Sequence, residues 1–277
     1  MKKVFKQLRK TSGAEIAAGV CAGALIAAVG LVAGKVPTAQ SARMDTTAPA
    51  ATERVLKPQR SVPRFAQLGS ETASRDVHFI ADWVADSRDA GGKPFVIIDK
   101  KRAKVFVFDA QARLLGASPV LLGVAPGDDT VPGIGDKPLS QVLPAERTTP
   151  AGRFVGERGH NARGEDVVWV DYDAAVSMHR VLTTNKAERR LERLATPSVE
   201  DNRVSFGCIN VPVAFYEKYL RPTFAQNTAM IYVLPEVKTL RDVFGAYDVA
   251  AVHGLIRSEA QAPQRDALMI LLFALRN

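Results

Sequence analysis

Two short segments hold residues whose types suit acyl-transfer chemistry: Ser177-Met-His179-Arg180 and Ser205-Phe-Gly-Cys208-Ile-Asn210. The thiolate is the nucleophilic form of cysteine, and a free thiol with a pKa near 8.5 is mostly protonated at neutral pH. An imidazole brought beside Cys208 would take that proton and later return it to a leaving amine, which casts His179 as base and then acid. Gly207 permits a tight turn, so that the amides of Gly207 and Cys208 can point at a developing oxyanion, a contribution of about 3 kcal/mol per donor. A helix opening near Pro212 would add a smaller push toward the anion. Taken alone, a single cysteine more often packs as a small hydrophobe; its neighbours are what favour chemistry here.

The elements that must position these residues read as mainly β. Pro94–Ile98 and Lys104–Phe108 are β-branched or aromatic runs joined by a charged connection, the pattern of a hairpin. Further strands are predicted at 114–124, 166–172, 175–179 and 229–234, which sets His179 at a strand end. Val77, Ile80, Trp83 and Val84 recur at helical spacing before Gly91-Gly92. The Gly/Pro-rich stretch from Pro126 to Phe154 reads as a long connection. Lys186–Arg193 reads as a charged, solvated helix. One helix is expected at 237–252, then an apolar run at 267–275 that packs as a covering helix. The four histidines, His78, His160, His179 and His253, lack the spacings of zinc sites, and no phosphate-binding loop is present, so neither metal nor cofactor is expected.

The 277 residues carry 37 Lys and Arg against 29 Asp and Glu, a formal charge of +8. Residues 1–42 hold +5 of this, leaving +3 for the other 235, so the charge is no nucleic-acid footprint. Lys2, Lys3, Lys6, Arg9 and Lys10 precede 19 uncharged residues, Ile16 to Gly34. That length lies between a signal peptide and a single-span anchor, and both readings place everything after about residue 43 outside the cytoplasm, with membrane contact only through this segment. Residues 43–70 read as a linker and 71–92 as a helix leading into the domain. The exported part then carries one cysteine, Cys208, which needs a use in an oxidising compartment.

Over roughly residues 93–235, the Ser205–Asn210 segment, His179 upstream and Thr149-Pro-Ala-Gly152 before it resemble the L,D-transpeptidase (YkuD-like) catalytic domain. The resemblance implies a β-sandwich or barrel with peripheral helices, and a C-terminal helical extension at 236–277. It implies an enzyme of the periplasm or cell envelope whose substrates are peptidoglycan stem peptides: Cys208 attacks, His179 shuttles the proton, and a thioester passes to an amine. In that reading Ser205 orients the histidine or substrate, Phe206 faces the stem peptide, Asn210 braces the loop or joins it there, and Arg180 and Arg203 pair with stem-peptide carboxylates or lie as surface arginines. Three positions depart from the family pattern. Phe206 stands where histidine is usual, Arg180 where glycine is common, and the 25 residues between His179 and Ser205 exceed the usual interval. A hydrolytic L,D-carboxypeptidase or amidase, and a non-catalytic peptidoglycan-binding module, remain as alternatives; a papain-like peptidase has the opposite Cys-His order.

Overall fold

The computed structural model of the chain describes residues 62–225 and 228–255. The apolar runs at 16–34 and 267–275 lie outside them, as does most of the expected linker. Helix α1 (Arg75–Ser87) is capped by the Ser74 hydroxyl, which accepts the Val77 N–H at 3.2 Å, and it buries Val77, Ile80, Trp83 and Val84, the residues whose spacing predicts it. Residues 62–70, expected as part of the linker, instead pack beside α1. The Ala66 N–H donates to Asp82, Gln67 bridges Arg113, and Leu68 joins the apolar cluster. That docking runs largely through backbone groups, which have no sequence pattern.

Among the described residues ten strands follow: β1 (Phe95–Asp99), β2 (Lys104–Phe108), β3 (Leu114–Pro119), β4 (Leu122–Gly123), β5 (Gly152–His160), β6 (Asp166–Asp171), β7 (Val176–Arg180), β8 (Arg203–Ser205), β9 (Ile209–Val211) and β10 (Ala229–Val233). Eight form one sheet in the order β3-β2-β1-β10-β5-β6-β7-β9. Beyond β3 the chain reaches Leu121, which exchanges two 2.9 Å backbone hydrogen bonds with Asn210 of β9, so the sheet nearly closes on itself. The fold is therefore mainly β, a barrel-like sheet with a few helices.

Both faces of β1 are covered. Phe95 and Ile97 pack with α1, while Val96 and Ile98 enter the interior cluster with Met178, Ile209, Tyr216 and Ile231. A strand buried on both sides reads as an unbroken apolar run, which is why Pro94–Ile98 was legible. Each such side chain contributes about 1.5–3 kcal/mol by leaving water. Strand β5, by contrast, is central yet falls where a long connection was expected to end. Its alternate residues carry no apolar signal because Gly156 leaves room for larger neighbours: a Cβ there would meet Phe224 at 2.5 Å and Ile231 at 2.6 Å.

Helix α2 (Arg190–Ala195) lies in the segment between β7 and β8, and a helical stretch at 213–223 follows β9. The single helix expected at 237–252 is instead two, α3 (Leu240–Phe244) and α4 (Val249–Val252), because Gly245 takes a left-handed conformation at φ +67° and ends the first. Phe244, Ala246 and Tyr247 pack against the α1 cluster, and the Tyr247 hydroxyl donates to Asp86 at 2.8 Å. Residues 236–255 thus share the domain's outer core. Among the described residues no helix is long and apolar enough to cross a membrane.

Candidate active site

Strands β7 and β9 run parallel and adjacent, with Met178 opposite Ile209 and His179 opposite Asn210. Val176, Met178, Ile209 and Val211 all point into the interior cluster. By the two-residue period of a strand, Ser177, His179 and Asn210 lie on the other face, with Cys208 entering β9 on the same side. Parallel pairing thus brings two residues far apart in sequence to one surface. Both Cys208 and His179 are partly exposed.

The two side chains form an interacting pair. Burial pushes the Cys208 thiol up, but hydrogen bonding to His179, the imidazolium charge and bonds from Ser177 outweigh it, and the net shift is below the ordinary thiol value. Burial likewise pulls His179 down, and the hydrogen bond and charge of Cys208 outweigh that, for a net rise. The Nδ1–H of His179 donates to the Arg180 carbonyl at 2.7 Å, the assignment that leaves Nε2 for the thiol. Around Sγ the contacts are soft: Ala175 O at 3.6 Å and Ser177 Oγ at 3.7 Å. Ser177 escaped the sequence reading as a site residue, although its position two before His179 on a strand was the available signal.

The turn that presents Cys208 is braced by three side chains, Ser205, Thr149 and Asn210. The Ser205 hydroxyl donates to the Cys208 carbonyl at 2.6 Å and accepts the Gly207 N–H at 3.1 Å. Ser205 therefore holds the turn rather than the histidine, and the Gly207 amide is committed to it. Gly207 has φ +120°, and a Cβ there would lie 2.8 Å from Thr148 O, so both conformation and space require glycine. The Thr149 hydroxyl donates to Gly207 O at 2.8 Å and accepts the Gly123 N–H at 2.9 Å. Asn210 is fully buried; its Nδ2 donates to the Cys208 carbonyl at 3.2 Å and its Oδ1 accepts from Arg190 at 2.5 Å. It braces the turn, and burial leaves it no surface for a substrate. Strand β9 follows Cys208, so the helical stretch that starts at Val213 does not begin at the thiol.

The two arginines assigned to substrate are engaged internally. Arg180 pairs with Asp166 at 2.8 Å and Glu217 at 2.5 Å and stacks on Tyr216, while Arg203 pairs with Glu236 and donates to Lys100 O at 3.1 Å. Phe206 is exposed at 37%, with the Arg147 guanidinium 3.8 Å from its ring centroid. Lys100, unnoticed in the sequence, is fully buried and donates to Asp128 Oδ1 and Thr149 O, each at 3.0 Å, and to Gly127 O. Asp128 also accepts the N–H groups of Glu236, Val237 and Lys238. Among the described residues no group of three or more His, Cys, Asp or Glu is placed to hold a metal ion.

No family model matches the chain, and no curated protein does. Among solved structures, the helical cell shape determining protein Pgp2 from Campylobacter jejuni is similar over 58% of this chain and 52% of its own, at 14% identity and a TM-score of 0.38. LD transpeptidase LdtMt1 in complex with imipenem is similar over 51% of this chain and 58% of its own, at 18% identity and a TM-score of 0.29. The chain thus spans little more than half the length of either.

Proposed function

We propose that the chain is a cysteine acyl transferase of the L,D-transpeptidase type, acting on peptidoglycan stem peptides outside the cytoplasm. The observation that carries this reading is the Cys208–His179 pair, a half-buried cysteine whose thiol pKa is lowered by an imidazole from the neighbouring strand. The substrate class follows from the motif resemblance and from an N-terminal segment that reads as a signal or anchor.

In the first step the Cys208 thiolate attacks a stem-peptide carbonyl and forms a C–S bond. The C–N bond to the terminal residue then breaks, and the imidazolium of His179 gives its proton to the departing amine. With the Gly207 amide held by Ser205, the oxyanion falls to the Cys208 amide. In the second step an acceptor amine attacks the thioester, its proton passes to His179, and the C–S bond breaks to restore the thiolate. Water in place of the amine would make the same site a hydrolase. Phe206, stacked on Arg147, is then the exposed side chain beside Cys208, while Arg180, Arg203 and Asn210 are engaged internally.

The test is acylation of the full chain by a carbapenem, followed by intact mass and peptide mapping. A single adduct on Cys208, absent in Cys208→Ala, is expected, with the stability of that variant changed by less than about 1 kcal/mol. No adduct on the wild type, or an equal adduct on Cys208→Ala, overturns the reading. Muropeptide analysis then separates cross-linking from trimming.

A further inference from the structure

The charged segment between His179 and Ser205 is not simply a solvated face. Leu194 is buried with Leu121 and Val181, and the Arg193 guanidinium donates to Glu188 O at 2.8 Å and Asp201 O at 2.9 Å. The Asn202 side chain ties the segment's far end to Val120 O at 2.8 Å. Arg189 and Leu191 face solvent, but Arg190 turns inward, its side chain only 12% exposed. Its Nη1 donates to Asn210 Oδ1 and its Nε to Glu188, each at 2.5 Å. Asn210 is the register partner of His179 and holds the Cys208 carbonyl. A cation is thus fixed one side chain away from both members of the pair.

We propose that Arg190 is a positioning residue for the cysteine–histidine pair, fixing Asn210 against the Cys208 turn and setting the charge balance under which thiol and imidazole exchange their proton. This inference rests on the acyl-transferase reading and adds to it a residue from a segment that the motif does not include. The charges facing His179 are few. Cys208 lies before β9, and Arg190 on α2 opposes protonation of the ring, with Glu188 behind Arg190. Arg180, next on the same strand, is turned to Asp166 of β6 and Glu217 of the helical stretch at 213–223. A cation held near two titrating groups lowers the pKa of both, and its removal raises both.

The experiment measures the rate of Cys208 alkylation by iodoacetamide against pH in the full chain, following the Cys208 peptide by mass spectrometry so that Cys21 is not counted. Arg190→Leu is expected to move the midpoint upward by roughly half a unit to one unit, the effect of one partly screened charge at short range. Arg190→Lys is expected to bring it back toward the wild type, and Arg189→Leu, which removes the exposed neighbour, to leave it unmoved. Glu188→Gln, which exposes the Arg190 charge, is expected to move it downward, and carries the test should Arg190→Leu fail to fold. An Arg190→Leu midpoint equal to the wild type, an equal shift in Arg189→Leu, or no downward shift in Glu188→Gln overturns the role. A wild-type Cys208 that titrates as an ordinary thiol defeats the acyl-transferase reading itself; an activated wild type with unmoved variants defeats only the role of Arg190.

Discussion

Around Lys100 every charge has its partner: the ammonium meets Asp128 and the carbonyls of Gly127 and Thr149, Asp128 takes three backbone amides besides, and Glu236 pairs with Arg203. Around the Cys208 sulfur the contacts are long and few, and the residue is only half-buried. Both regions contain ionisable groups with shifted pKa values, and under the proposed function the second is the one arranged to react. A perturbed pKa marks a functional group only when some bonding capacity is left over for a substrate. The regions are joined through Thr149, whose carbonyl accepts from Lys100 and whose hydroxyl holds Gly207. The Lys100 cluster is a foundation for the turn that holds Cys208.

Breaking that foundation should have the largest effect. Lys100→Met leaves Asp128 and Glu236 without their buried cation, and unfolding by denaturant is expected to show a loss of about 3–5 kcal/mol. Carbapenem acylation should slow in the same variant, because Thr149 loses its anchor. A neutral Lys100→Met would dissolve the distinction between the regions. The acid limb sharpens it. Burial alone would raise the Asp128 pKa, but the three amides and Lys100 outweigh it and hold the carboxyl well below its ordinary value. Its contribution to stability is therefore complete above the unfolded carboxylate pKa of about 3.9 and is lost as the pH falls toward the folded value. Asp128→Asn should give a flatter stability curve below about pH 4; an unchanged curve would show that other carboxylates govern acid unfolding.

Cutting the link between the regions should cost less. Thr149→Val removes the bonds to Gly207 O and Gly123 N, with an expected loss of about 1–3 kcal/mol and slower acylation at an unshifted pH midpoint. The smallest effect belongs to the rim. Arg147→Ala should cost about 0.5–1 kcal/mol through loss of the stack on Phe206, read by thermal unfolding.

The same contrast explains what was legible in the sequence. The strands buried on both faces announced themselves as apolar runs, and the motif segments drew attention to the ends of β7 and β9. Lys100 and Asp128 gave no signal, because burial of a charge is decided by partners 27 and more positions away. Strand β5 was hidden by glycines whose purpose is to make room for residues of other strands. Arg190 was hidden in a run of charges, where only the fold separates the inward side chain from the outward ones. Pattern reports faces and periods, whereas polar partnership depends on where the chain returns.

The most direct measurement is the pH dependence of Cys208 alkylation in the wild type beside His179→Ala. A wild-type midpoint clearly below the ordinary thiol value of about 8.5 is expected, with His179→Ala returning it upward and slowing carbapenem acylation about 10²–10⁴-fold. Superimposable curves, both with the midpoint of a free thiol, would contradict the claim that the imidazole of β7 activates the sulfur at the start of β9.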